Sequence, residues 1–518
     1  MSRTHRASIT ATFAYLQFGL SIVVGIVMVP FVLDRVGARL FGYWLASGEV
    51  LAYAAMADLG ILGVVPWMIA RADGRKDRDE IRRLLSTGFV AAMIVSLAYV
   101  AIVITMWNVA PDLLKLRPDE RALIAGPLAF LACVTAIVLP MRVANSALGG
   151  LQDVRFCGAM NTVWWALDAV ITVTLLYRGY GLWALAIGAS IPSVMGACTA
   201  VIRLRWIAPD LLYSWPRPSS SAVATLFREG SGGWLGAWGW RLSSATDAIV
   251  VGTFAQGSMI TVLAMTAKLG MMLTNMAWVP GDSGLVGLAQ LSGEGHGDRL
   301  TAAVRALLRV YLALATAAAC VGLAINGAFV RGWVGPENFG GARLNIALAG
   351  MAICATAVHG LSTVISVLGR RLWVGIVTLV AGAAQIGLAF LLGRRLGLIG
   401  IPLAGLLAQS CLLIPLLLPA LRGTTGLTPM ALVRGVLVPW AARSVPLLVL
   451  SASLGLALGH VPIWSAVPIG GLVGLVALYV SRKLILDYPP VANLIRGRLA
   501  VVRLDGLLPT DPPQQPGS

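Results

Sequence analysis

LLSTGFVAAMIVSLAYVAIVITMWN occupies residues 84–108 and contains no charged side chain, although Arg82 and Arg83 stand directly before it and Asp112 shortly after. As a helix rising ~1.5 Å per residue, this stretch reaches about 37 Å, enough to cross ~30 Å of hydrocarbon. It is apolar on every face, so it is built for lipid or for the inside of a bundle rather than for a water-facing surface. Outward from it, thirteen more stretches repeat the pattern: 9–33, 43–70, 121–149, 157–177, 181–202, 232–256, 258–290, 300–330, 343–368, 371–393, 397–420, 436–458 and 463–482. The whole chain of 518 residues is 58% hydrophobic and 12% charged, with mean hydropathy +0.84. That charged fraction is about half of what a soluble protein carries. Soluble enzymes, disordered scaffolds and secreted disulfide domains are thereby excluded. The expected fold is an all-α polytopic membrane protein with about fourteen transmembrane helices. The first span follows Arg3 and Arg6 and is too long for a signal-peptide core, so it is expected to be a retained anchor.

The net charge of +17 is a matter of placement. With the N-terminus inside, the inner segments hold 25 of the Lys and Arg residues and the outer turns hold 10. Such a bias sets orientation and puts both termini in the cytoplasm. It also accounts for the basic excess without nucleic acid as a partner. The remaining four bases, Arg142, Arg241, Lys268 and Arg443, fall within spans. The six cysteines sit singly in or at the edges of apolar spans with no CxxC pair, which reads as core packing rather than a metal or disulfide site. His359 lies deep in the tenth span, where a hydrogen-bonded structural histidine is the plainer reading and a proton relay the sharper one.

The two halves of the chain carry ordered matches. Leu148-Gly149-Gly150-Leu151-Gln152 follows the fourth span and Leu368-Gly369-Arg370-Arg371-Leu372 the tenth. Arg178-Gly179-Tyr180-Gly181-Leu182 answers to Arg394-Arg395-Leu396-Gly397-Leu398, and Asp77-Arg78 to Asp298-Arg299. These place a six-helix lobe at 1–202, a cytoplasmic linker at 203–229, a second six-helix lobe at 230–420 and two further spans at 421–482. Two even-numbered repeats enter the membrane the same way up, related by a pseudo-twofold axis along its normal. A tail at 483–518 is expected to hold an amphipathic inner-leaflet helix from Val491 to Leu504, then a Pro/Gln/Gly-rich disordered end.

A charge near the bilayer centre costs at least ~2.5 kcal/mol, so charges that persist there face a partner or a wet cavity. Asp58 and Arg241 each lie about 22 Å below the outer ends of the second and seventh spans. Asp247 and Lys268, about 14 Å deep on one hairpin, could pair, as could Arg142 and Asp168 across the turn between the fourth and fifth spans. Glu49 is nine residues before Asp58 and so on the opposite helix face, without an obvious mate. Pro280 and Gly281 precede Asp282, where a broken helix would expose backbone groups; a kink or an ion site is expected there. Trp234 and Trp238 beside Arg241, and Trp164-Trp165 beside Asp168, suit sugar faces or an interfacial aromatic belt.

These residues resemble the polysaccharide and oligosaccharide flippases of the multidrug/oligosaccharidyl-lipid/polysaccharide exporter superfamily. The likeness is carried by Pro30 with Asp34-Arg35-Val36-Gly37 and Phe41-Gly42-Tyr43-Trp44, by Asp58-Leu59-Gly60 with Ile69-Ala70-Arg71, by Gly149-Gly150-Leu151-Gln152, and by Thr246-Asp247 with Val250-Val251-Gly252. The resemblance implies two lobes around a central cavity lined by spans 1, 2, 7 and 8, with Asp58, Arg241, Asp247 and Lys268 as cavity residues. Its implied cargo is a lipid-linked oligosaccharide, expected to be undecaprenyl-diphosphate-linked and held by Arg241 with Lys268, and moved across a bacterial inner membrane by alternating access. Such cavities are expected to be cationic, yet five acids (Glu49, Asp58, Asp168, Asp247 and Asp282) accompany the bases here. No GxxxxGK[ST] motif is present, so ATP is not the expected fuel; H+ or Na+ coupling through Asp58 or Asp247 is, with no other cofactor and no metal. Membrane lipids and other polysaccharide-assembly proteins are the expected partners. The competing readings are a cation-coupled multidrug antiporter of the same superfamily and a membrane-embedded polymerase or ligase. Against the last, outer loops of about 13 residues carry no paired carboxylates for acid–base chemistry.

Overall fold

The computed structural model describes residues 3–486 apart from 57–60, 214–215, 217–219, 245, 283–284, 286–287, 289–291, 293–296 and 460. Asp58 and the tail from 487 onward, including the expected amphipathic segment, lie outside the described residues. Among the described residues the regular structure is entirely helical, as the composition requires. The helices are α1 (Arg3–Val36), α2 (Ala38–Ala55), α3 (Ile61–Gly74), α4 (Arg78–Leu113), α5 (Pro118–Gly150), α6 (Val154–Tyr177), α7 (Leu182–Ile207), α8 (Asp210–Tyr213), α9 (Ser220–Ser244) and α10 (Asp247–Phe254). They continue as α11 (Gly257–Asp282), α12 (Gly297–Val334), α13 (Gly341–Val367), α14 (Arg371–Leu396), α15 (Gly400–Ala408), α16 (Ile414–Thr425), α17 (Pro429–Leu432), α18 (Val438–Ala457), α19 (Ile463–Val480) and α20 (Arg482–Leu486).

Local chemistry sets the helix starts. Asp77 accepts the Glu80 N–H at 2.9 Å at the head of α4, and Asp79 and Glu80 fill its first turn, where the helix dipole favours negative charge. Pro118 opens α5, and Glu120 reaches back to the Arg117 N–H at 3.0 Å. The turn after α5 holds Gln152 at φ 58°, and the turn after α13 holds Gly369 at φ 94°. In each, the next N–H returns to the carbonyl five residues back: Asp153 to Leu148 and Arg370 to Ile365. The turn geometry thus aligns Gln152 with Gly369, three residues off the alignment that the glycines suggest.

Ten helices among the described residues are long and apolar enough to cross a membrane, which makes this a multi-pass membrane protein. The second expected span appears as α2 and α3 on either side of residues 57–60, and the seventh as α9 and α10. The eleventh and twelfth run together in one 55-residue helical stretch, Arg371–Thr425, which includes a π-helical turn at Gln409–Leu413.

The helices gather into two compact units. One comprises Met1–Thr266, Val330–Gly340 and Arg371–Ala408; the other comprises Ala267–Phe329, Gly341–Arg370 and Gln409–Ser518. The segment 230–420 contributes to both. In the first unit, Val65, Ile69, Ile81, Leu84, Leu85, Val143, Leu148 and Leu204 form a core between α3, α4, α5 and α7. Small residues let the backbones close up: a Cβ on Gly150 would stand 2.7 Å from the Pro66 carbonyl oxygen. In the second unit, α12 is the enclosed helix, with Ala317 and Cys320 packed against Leu447 of α18 and Ala477 of α19. Outward-facing side chains remain apolar, among them Leu97, Ile94, Val449 and Leu475. Such a surface suits lipid, where the backbone's polar groups are satisfied inside the helices.

Candidate functional site

A helix broken inside the membrane must find new partners for the backbone groups it frees. The seventh expected span breaks between Ser244 and Asp247, and three of the carbonyls at the end of α9 can be followed to their partners. The carbonyl of Arg241 accepts from the Tyr53 hydroxyl at 3.3 Å. That of Leu242 accepts from Thr246 Oγ1 at 2.9 Å, and that of Ser243 from Gln385 Nε2 at 2.7 Å. Tyr53 also bonds to the Thr246 hydroxyl. On the far side of the break, the Glu49 carboxylate accepts the Ile249 N–H at 3.3 Å, in the first turn of α10. A carboxylate there meets both unsatisfied donors and the positive end of the helix dipole.

Neighbouring helices hold this arrangement in place. Tyr53 and Glu49 project from one face of α2, one turn apart. Trp238 packs on the Tyr53 ring at 5.8 Å and meets Trp234 edge-on at 6.0 Å, while Trp234 Nε1 donates to the Met56 carbonyl at 2.8 Å. On the opposite side, a Cβ on Gly239 would lie 2.4 Å from the backbone of Thr378, so α9 and α14 are in direct backbone contact. Arg241 and Asp247 flank the break, and Glu49 interacts electrostatically with both. Trp234 and Trp238, for which the sequence offers sugar contact or an interfacial belt, therefore brace the break.

The break falls 35 residues before the Pro280-Gly281 pair at which the sequence places one. Helix α11 instead runs unbroken through residues 280 and 281 to Asp282. The missed signal was Ser243-Ser244-Ala245-Thr246-Asp247: small hydroxyl and carboxylate residues favour helix N-termini even within an apolar run. Lys268 is half-buried on α11, in the second compact unit, whereas Asp247 belongs to the first. Asp282 accepts from the Tyr311 hydroxyl at 2.6 Å and pairs with His359 Nε2 at 2.9 Å.

A second feature of the first unit is a cavity of about 160 Å³ between α5, α6 and α7, whose polar lining is Arg142, Asn145, Asn161, Trp164 and Ser193. Arg142 is eight residues from the end of α5, about 12 Å along the helix. The expected Arg142–Asp168 pair does not form. Asp168 accepts from Thr172 one turn away, at 3.2 Å, and it packs against α7 so closely that a Cβ on Gly188 would stand 2.9 Å from its Oδ1. Trp164 Nε1 is buried and has no hydrogen-bond partner among the described residues. The cavity therefore presents a guanidinium, two amides and an indole N–H, a set rich in donors. Among the described residues no cluster of His, Cys, Asp and Glu could hold a metal ion.

No protein-family model matches the chain. It is 22% identical over 248 residues to Probable flippase AglR of Haloferax volcanii, a match covering 47% of this chain and about half (48%) of that protein. It is 22% identical over 422 residues to Uncharacterized membrane protein EpsK of Bacillus subtilis, covering 78% of this chain and 82% of that one. Among solved structures, Lipid II flippase MurJ in an inward closed conformation superposes with a TM-score of 0.64, at 13% identity, over 92% of this chain and 99% of its own. An inward-facing multidrug resistance MATE family transporter of the MOP superfamily superposes at 0.58, with 15% identity, over 81% of this chain and 98% of its own. These likenesses bear out the resemblance read from the sequence, that of a flippase of the exporter superfamily. At such identities the structural matches define a fold, shared by flippases and drug transporters alike.

Proposed function

We propose that this protein flips an anionic lipid-linked oligosaccharide, of the undecaprenyl-diphosphate type, from the inner to the outer leaflet of a bacterial cytoplasmic membrane. The observation that carries the reading is the donor-lined cavity: Arg142 faces it with no ion-pair partner among the described residues. A guanidinium retained within a membrane-spanning helix needs an anion or water to be tolerable, and a phosphate fits its planar array of donors. The asparagines and Trp164 Nε1 can bond to sugar hydroxyls. Arg241 and Lys268 are the further candidates for the diphosphate. Fourteen spans in two pseudosymmetric lobes, both termini inside, would rock around the cargo while its lipid tail stays in the bilayer. Outward movement of two negative charges gains about 2.3 kcal/mol per charge per 100 mV from an inside-negative potential. Similarity to proteins named as flippases supports transport rather than a polymerase or ligase reaction.

The second reading, a multidrug antiporter, draws on the MATE likeness and on the carboxylates Glu49 and Asp247. Reconstituted full-length protein decides between them. Flipping of a fluorescent undecaprenyl-diphosphate oligosaccharide, scored by its accessibility to an external quencher and lost in Arg142→Ala, supports the flippase. Transport of a lipophilic dye cation with no flipping supports the antiporter.

A further inference from the structure

The polar cluster at the end of α11 is made wholly by the second compact unit. Helix α11 supplies Asp282 and Trp278, α12 supplies Tyr311, and α13 supplies His359 and Thr356. The indole of Trp278 lies flat on the imidazole at 4.1 Å and 5°, held by its own N–H, which donates to Thr356 Oγ1 at 3.1 Å. Tyr311 meets the imidazole edge-on at 5.8 Å. The Asp282 Oδ1 atom receives both the Tyr311 hydroxyl and His359 Nε2. Tyr311 donates its hydroxyl, and His359 donates as well in the tautomer that carries the ring proton on Nε2, against an ionised Asp282. That leaves Nδ1, which has no hydrogen bond among the described residues.

We propose that the Asp282–His359 pair is a proton-binding site, and that its proton is the ion coupled to transport. A proton arriving from water forms an N–H bond with the Nδ1 lone pair, nothing leaves, and the pair passes from net −1 to net zero. Two features stabilise the cationic ring: the carboxylate 2.9 Å away and the π-face of Trp278. The Asp282 side chain is 41% exposed and His359 only 19%, so the proton has an open flank beside an otherwise closed ring. Alkali cations prefer several oxygen ligands; a site with a ring nitrogen against its one carboxylate suits a proton better.

Of the other charged groups on the packed helices, Asp298, Arg299 and Arg331 of α12 and Arg343 of α13 stand at helix ends, while Arg305 of α12 lies against Gly435. Lys268 is fourteen residues up α11, about 21 Å away. Arg309 of α12 donates to the Gly435 carbonyl, and Arg443 of α18 to that of Pro439. Cys354 of α13 interacts with Cys411, and Arg422 stands in the last turn of α16. Asp282 is therefore the charged side chain that bonds to His359 among the described residues. An aspartate–histidine pair inside a membrane protein is a known chemical basis for proton relay; a purely structural pair would hold one protonation state throughout.

The chain contains four histidines, His5, His296, His359 and His460, so ¹⁵N-histidine labelling of the full-length protein in bilayers resolves each one. His359→Gln assigns the resonance. The expected result is a change of His359 from the neutral to the cationic form between pH 9 and pH 5, displaced in Asp282→Asn. A His359 signal constant over that range, or an unchanged titration in Asp282→Asn, overturns the proposal. The coupling half rests on the flippase reading and is measured in proteoliposomes: an imposed pH gradient accelerates flipping by the wild type and has no effect on His359→Gln. A gradient response retained by His359→Gln refutes the coupling, whereas a wild type that flips nothing refutes the flippase reading and leaves the titration to decide the site.

Discussion

Replacing Tyr53 with Phe removes one oxygen and leaves the ring in place against Trp238. Two bonds go with it: the donation to the Arg241 carbonyl and the contact with Thr246. Thr246 keeps its bond to the Leu242 carbonyl, so the unsatisfied group is the Arg241 carbonyl, freed by the break. An interhelical hydrogen bond in a membrane protein contributes about 0.6 kcal/mol on average, which sets the lower bound. Leaving a buried acceptor with no partner costs up to about 3 kcal/mol, which sets the upper bound. Opening of the break should therefore become about 3- to 150-fold more frequent. Hydrogen exchange read by mass spectrometry on the full-length protein, in the peptide spanning residues 238–252, measures this directly. Ser47→Ala is the matched control on the same helix: the Ser47 hydroxyl is buried and unpartnered among the described residues, so its loss should be neutral or slightly stabilising. Equal protection in wild type and Tyr53→Phe would mean that the break is not held by Tyr53, and the accounting of its carbonyls would fail.

Glu49→Ala should destabilise the first turn of α10 by about 0.5–2 kcal/mol, the usual value of a helix cap, while Glu49→Gln keeps an acceptor and loses less; faster exchange at Ile249 in the first variant alone confirms it. Gly42→Ala should sharply lower the yield of folded protein, because the new Cβ would sit 1.8 Å from the Gly257 carbonyl oxygen, whereas Gly48→Ala, with nothing within 4 Å, should not; detergent-stable yield by size exclusion tells them apart. Glu120 bonds to both Arg39 and Arg117 and is itself buried, so Glu120→Ala should cost more thermal stability than Arg39→Ala, which leaves the carboxylate one partner. A smaller loss for Glu120→Ala would contradict the shared bridge.

Spans such as 84–108 are legible because hydrocarbon imposes length and apolarity on the segment itself, whatever its neighbours. Helix starts at Asp77 and Pro118 are legible for a similar reason: their chemistry acts within one turn. The break at Ser244–Asp247 was less so. Its local signal is a run of small polar residues that an apolar average hides, and what makes it tolerable is distant in sequence: Tyr53, Glu49 and Gln385 on two other helices. Pairings failed in the same way. A shared turn suggested that Arg142 and Asp168 could meet, but Arg142 stands eight residues from the end of α5 and Asp168 fourteen residues into α6, where it turns toward Thr172 and Gly188. His359 and Asp282 were each singled out from sequence; that they meet depends on the packing of α11 against α13.

Five acids among four bases within the spans argue, by count alone, against an anionic cargo, since the count gives no excess of positive sites. What matters is how many of those charges the protein has already used. Glu49 is spent on the first turn of α10, Asp168 on Thr172, and Asp282 on Tyr311 and His359. Asp247 opens α10, where the helix dipole offsets its charge, and Asp58 lies outside the described residues. Of the bases, Arg443 is taken by the Pro439 carbonyl, but Arg142 faces a cavity with no carboxylate in its lining. Carboxylates are natural acceptors for the hydroxyl, amide and imidazole groups of a helical bundle, whereas a guanidinium accepts nothing and competes for carbonyls already bonded within helices. Acids in the spans thus tend to be absorbed into structure, and bases to be left for a ligand. The sign of the available site is positive, which is what a phosphate-bearing lipid requires and a cationic drug would avoid.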